Sequence, residues 1–132
     1  MRKVKHPQKL DRKESVLASK SEESNTLYPQ FDLSLINSGK FPLHDCNDEE
    51  KAAFADKLAE LSQLSWQQLT QAPRHGLGFE KIDDYERSAK IPQDVSILAF
   101  RFYGKAAMLG FRVYRVFTIL ELDRAFKAFD HE

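Results

Sequence analysis

Ser96-Ile-Leu-Ala-Phe-Arg-Phe-Tyr-Gly-Lys-Ala-Ala-Met-Leu-Gly-Phe-Arg-Val-Tyr-Arg-Val-Phe-Thr-Ile-Leu-Glu-Leu122 holds three runs rich in aromatic and branched side chains: Ser96 to Tyr103, Ala107 to Tyr114 and Val116 to Leu122. Gly104-Lys105-Ala106 and Tyr114-Arg115 separate them. Runs of strand length, punctuated by turn residues, predict a three-stranded antiparallel meander. Leu98, Phe100 and Phe102 share one face of the first run, and Leu109, Phe111 and Val113 share one face of the second. A connection of even length brings these two sets together, because opposed residues point the same way. The other face then collects Arg101, Tyr103, Met108, Gly110, Arg112 and Tyr114. The third run is apolar in both alternating sets, which predicts a central or helix-covered strand and leaves its faces unassigned.

Upstream, Asp83 to Asp94 is charged, contains Pro92 and reads as a connection. Phe79-Glu-Lys-Ile82 predicts a strand, and Arg74-His-Gly-Leu-Gly78 a glycine-rich loop before it. Farther back, Asn47 is a helix cap with Glu50 three residues on, as in a capping box, and Asp48 and Glu49 suit the positive end of the helix dipole. Phe54, Leu58 and Leu61 follow on one helical face. Ser65-Trp-Gln-Gln68 repeats the box and opens a short second helix that Pro73 stops. Phe31, Leu33 and Leu35 alternate with polar residues after Pro29, predicting a short half-buried strand that Ser38-Gly39-Lys40 closes. The fold class expected is α+β: a two-helix corner packed on an antiparallel sheet, the C-terminal meander joined by one or two N-terminal or middle strands.

Residues 1–26 carry no sustained period and are read as a disordered leader, with residues 27–132 as one α+β domain. Seven basic residues against two acids between Met1 and Lys20 make the leader basic, while six acids against two lysines between Asp45 and Glu60 make the first helix acidic. The leader is either a solvated tail or a nonspecific phosphate-binding arm. The 132 residues fit one domain, and 42% hydrophobic residues suffice for a core. Twenty basic and twenty acidic residues leave no net field toward nucleic acid. The single cysteine, Cys46, excludes an internal disulfide, and the leader lacks the apolar run of a signal peptide, which predicts a cytoplasmic protein. No stretch is apolar for long enough to span a bilayer.

His6, His44, His75 and His131 lack paired ligand spacing, so no metal and no cofactor is expected. There is no phosphate-cradling glycine loop and no serine elbow. Arg74-His75-Gly76 matches the triplet of histidine phosphatases but follows a helix and a proline instead of an N-terminal strand, so that reading is set aside. His75, a loop histidine beside an arginine, is a candidate acid or base. Arg101 and Arg112 with Tyr103 and Tyr114, plus Lys105 and Arg115 at the connections, are candidates for holding RNA, with cations on phosphates and tyrosines stacked on bases. The same residues also suit the solvated face of a sheet.

Phe100-Arg-Phe102, Leu109-Gly-Phe-Arg112, Val116-Phe-Thr-Ile-Leu120, Asp123-Arg124 and the terminal Phe129-Asp-His131 resemble the arginine-bearing strands and histidine-containing end of the RelE/ParE superfamily of bacterial toxins. In outline the resemblance covers Phe31 to Glu132, and in residues Ser96 to His131. It implies a metal-independent RNase acting on mRNA, with Arg101 and Arg112 on phosphate and His131 or His75 moving protons as the 2′-hydroxyl attacks. It implies RNA or the ribosome, and a cognate protein, as partners. The leader and the connection from Asp83 to Asp94 have no counterpart there. A non-enzymatic protein-interaction module, or a small-molecule pocket between corner and sheet, are the alternatives the residues leave open.

Overall fold

The computed structural model describes residues 25–71 and 78–125. Strand β1 (Gln30–Asp32) is followed by a single 3₁₀ turn (Leu43–Asp45), helices α1 (Asp48–Leu61) and α2 (Trp66–Gln71), and strands β2 (Phe79–Ile82), β3 (Ile97–Tyr103), β4 (Ala106–Val113) and β5 (Val116–Asp123). The strands form one five-stranded sheet in the order β1-β5-β4-β3-β2. The α+β class, the helix pair and the meander stand as expected. The sheet is mixed, because β1 joins the edge parallel to β5 while every other pair is antiparallel. β1 also ends sooner than its alternation suggests. Asp32 Oδ1 accepts the Ser34 N–H at 3.0 Å and turns the chain away.

Both helix starts are made by the side chains that mark them in the sequence. Asn47 Oδ1 accepts the Glu50 N–H and Glu50 Oε1 accepts the Asn47 N–H, each at 2.8 Å. Ser65 and Gln68 exchange the equivalent bonds at the start of α2. The helices cover one face of the sheet. Phe54 meets Phe102 edge-on at 5.8 Å between centroids, and Trp66 meets Phe117 at 6.1 Å. Leu98, Phe100, Met108, Ile119 and Leu122 complete this core.

The face assignment of the meander is corrected by two bulges. The turn Gly104-Lys105 has the even length expected and pairs Tyr103 with Ala106, with Gly104 at φ +58°, where a tight hairpin favours glycine. Between Tyr103 and Arg101 the register shifts by one. Leu98 therefore lies opposite Gly110 and Phe100 opposite Met108, instead of Phe111 and Leu109. A one-residue slip exchanges the faces of everything beyond it. A second shift, between Leu109 and Gly110, leaves Leu120 as the extra residue of β5. Phe117, Ile119 and Leu122 consequently face the helices, while Leu120, Glu121 and Asp123 face away. β5 is interior, between β1 and β4.

The face away from the helices is not open. Ile97, Ala99, Ala107, Leu109, Phe111 and Leu120 are buried there beneath Leu35, Tyr85, Ile91 and Val95. The segment from Asp83 to Asp94, expected as a plain connection, forms with Val95 a roof over a second core. It carries Tyr85 from the β2 side across to β5, where the phenol donates to Glu121.

Candidate functional site

The sequence gathered Arg101, Tyr103, Lys105, Arg112 and Tyr114 on one face or its connections. The register disperses them. Arg101 falls on the roofed face, in one cross-strand row with Ala107 and Asp123. Arg112 pairs with Phe117 and lies on the helix face. Its guanidinium carbon sits 4.4 Å from the centroid of Trp66, Nε donates to the Tyr114 carbonyl at 2.7 Å, and Nη2 donates to Asn25 Oδ1 at 3.1 Å. Burial pushes its pKa below the usual arginine value. Arg112 thus ties the start of the described chain, α2 and the β4–β5 turn together. Asn25, assigned by sequence to the leader, is fixed further by its carbonyl, which accepts the Gln67 N–H at 2.9 Å.

Three of the five residues share one end of the sheet but not one face: Arg101 pairs with Ala107 on the roofed face, and Tyr103, beyond the bulge, pairs with Ala106 on the helix face. Arg101, Tyr103 and Lys105 are all exposed and occupy the β3–β4 end of the sheet. The Tyr103 hydroxyl donates to Glu49 at 3.3 Å, and the charge of Glu49 and this bond raise the phenol above its ordinary value. The neighbouring Glu50 is held by Arg124 Nε at 2.8 Å. Burial disfavours the Glu50 carboxylate, but the Arg124 hydrogen bond and charge and the Asn47 N–H outweigh it and keep its pKa below the usual range. The Arg101 N–H donates to the Gly78 carbonyl at 3.2 Å, so the described chain resumes beside Arg101. His75 and His131 themselves lie outside the described residues. Among the described residues no group of three or more His, Cys, Asp or Glu side chains converges on a common point, and no helix is long and apolar enough to cross a membrane.

At the opposite end of the sheet the β4–β5 turn exposes Val113 and Tyr114, and Tyr28 stands beside them, its carbonyl accepting from Arg115 Nε at 3.0 Å. Tyr114 adopts φ +61° at the first position of the turn. On the roofed face, a cavity of about 650 Å³ lies between the segment around Gly39 and the segment from Asp84 to Ile91, with Leu120 and Glu121 of β5 also in its lining. Its lining comes from three distant segments, so no local run of residues marks it. The small-molecule pocket considered between corner and sheet is not where the cavity lies.

No protein-family model matches the chain, and no curated protein matches it. Among solved structures the chain is similar to one in the crystal structure of an archaeal RelE-RelB complex from Pyrococcus horikoshii OT3. The identity is 14%, the match covers 78% of this chain and 99% of that one, and the TM-score is 0.46.

Proposed function

We propose that the chain is a RelE/ParE-like domain that acts on RNA at the β3–β4 end of its sheet, as a metal-independent RNase. The observation that supports this reading is that Arg101, Tyr103 and Lys105 are all exposed around this one end, Arg101 on the roofed face and Tyr103 on the helix face, where the segments carrying His75 and His131 adjoin the described chain. Arg101 and Lys105 hold phosphate and offset the charge that builds as a 2′-hydroxyl attacks it, and Tyr103 offers a ring to a base. His131 or His75 takes the proton of the attacking hydroxyl. Arg112, which the resemblance implied for phosphate, is reassigned to structure.

Binding of a fluorescent single-stranded RNA, followed by anisotropy against salt concentration, tests the reading. Each phosphate contact contributes about 0.7 to the slope of log K against log salt for a single strand. Arg101→Ala and Lys105→Ala should each flatten the slope by roughly that amount. An unchanged slope in both variants, or no binding by the wild type, would remove the β3–β4 end from consideration.

A second reading, a non-enzymatic module that binds a cognate protein, is favoured by the exposed Tyr28, Val113 and Tyr114 at the other end of the sheet. Val113→Asp with Tyr114→Asp would then abolish co-purification of that protein while leaving RNA binding intact. Co-purification that survives both changes would exclude this surface.

A further inference from the structure

The cavity on the roofed face holds a feature that packing does not explain. Glu121 is 5% exposed and lines the cavity, yet among the described residues its one hydrogen bond comes from the Tyr85 hydroxyl, 2.7 Å from Oε2. A carboxylate offers about four acceptor sites, and burying one with most of them empty is costly. Oε1 faces Gly39, where an added Cβ would stand 3.2 Å away, so the absence of a side chain keeps the approach to that oxygen clear. No described cation lies within ion-pair distance of Glu121. Lys40 also lines the cavity, but its ammonium lies 5.8 Å from the centroid of the Phe41 ring and makes no ion pair with Glu121.

The surroundings favour positive charge. Three acids, Asp84, Glu86 and Glu121, line the cavity against two lysines, Lys40 and Lys90. Burial first, then the bond to Glu121 and the charges of Glu121, Asp123 and Glu86, push the Tyr85 phenol far above the ordinary tyrosine value, so it stays a donor to Glu121. Phe41, Ile91 and Leu120 supply apolar wall. The volume falls within the roughly 300 to 1,000 Å³ typical of small-molecule sites, which combine such walls with a few placed polar groups.

We propose that this cavity binds an alkylamine or alkylguanidine group, its cationic head on the Glu121 carboxylate and its methylenes against Phe41, Ile91 and Leu120. The site is separate from the β3–β4 end and does not depend on RNA binding there. The head group can belong to a free small molecule or to an arginine of a peptide, and the two are separated by the probes below.

The test is a ¹H–¹⁵N NMR titration of the full chain with agmatine, with the tripeptide Gly-Arg-Gly, and with n-pentanol as a neutral control. Saturable shifts at Gly39 and Glu121 with either cation, none with n-pentanol, and at least tenfold weaker binding in Glu121→Gln are expected. Tighter binding of agmatine assigns the site to a free small molecule, and tighter binding of the tripeptide to a peptide side chain. Should Glu121→Gln fail to fold, the Glu121 ¹³Cδ resonance of the wild type decides the matter, since a cation seated on the carboxylate must move it. No saturable response to either cation, equal affinity in Glu121→Gln, or an unmoved ¹³Cδ signal would overturn the proposal.

Discussion

Arg112→Ala should cost the fold far more than Arg101→Ala, although both remove an arginine from neighbouring strands of one sheet. At least three interactions of Arg112 are lost together. The guanidinium over Trp66, 4.4 Å from the ring centroid, contributes about 1 kcal/mol at a half-buried site. The bond from Nε to the Tyr114 carbonyl at 2.7 Å adds about 1 to 1.5 kcal/mol as a charge-assisted contact. The bond to Asn25 at 3.1 Å is part-buried but longer, and adds about 0.5 kcal/mol. Together these give roughly 2 to 3 kcal/mol, which for a domain near 100 residues lowers Tm by roughly 10 to 15 °C. Arg101→Ala, at an exposed strand position, should cost less, about 1 kcal/mol or below. Urea denaturation followed by tryptophan fluorescence is suited to the comparison, because Trp66 is the single tryptophan and lies against Arg112. A loss below about 0.5 kcal/mol for Arg112→Ala, or an equal loss for both variants, would refute the division of roles between them.

A Cβ on Gly110 would stand 2.2 Å from the Thr118 carbonyl oxygen, so Gly110→Ala should force β4 and β5 apart and cost more than about 3 kcal/mol by denaturant melt, against about 1 kcal/mol for an ordinary exposed glycine change. Asn47→Ala should lose about 1 kcal/mol of stability through the missing cap of α1, with Asn47→Gly losing only a few tenths. The folded-state pKa of Glu50 lies below its unfolded value, so its contribution is present above the unfolded value of about 4.3 and is lost as pH falls through the folded one. Arg124→Ala should therefore lower stability above that value and leave it little changed in acid, flattening the acid limb of the stability-against-pH curve, and an unaltered limb would show that the pair contributes nothing measurable.

How much could be read from the sequence follows how local each cause is. Both helix starts rest on side chains three residues from their partners, Asn47 with Glu50 and Ser65 with Gln68, and both were legible. Positions of the later four strands were legible from composition to within a residue, whereas β1 stops at Asp32, short of the expected alternation to Leu35. Faces were not, because the bulged residues, Phe102 and Leu120, are themselves apolar, and the glycine at the second shift, Gly110, lies on the strand opposite Leu120; each bulge shifts the register by one. The site inherits that error: Arg101 and Arg112 were joined by parity and are parted by a bulge. Parallel pairing of β1 with β5 depends on contacts more than eighty residues apart, such as Thr118 Oγ1 donating to Asp32 Oδ2 at 3.2 Å, and nothing near β1 encodes it. The roof was hidden by its charge, yet Tyr85, Ile91 and Val95, the apolar residues of a charged stretch, were the available signal.

The most direct measurement of the central claim is cleavage of a translated mRNA by the purified chain, with and without ribosomes, beside Arg101→Ala and beside an Arg112 variant that retains folding, such as Arg112→Lys. The account predicts cleavage by the wild type and by Arg112→Lys, and its loss in folded Arg101→Ala. Cleavage that persists in Arg101→Ala, or a folded wild-type protein that cuts no RNA under either condition, would contradict it.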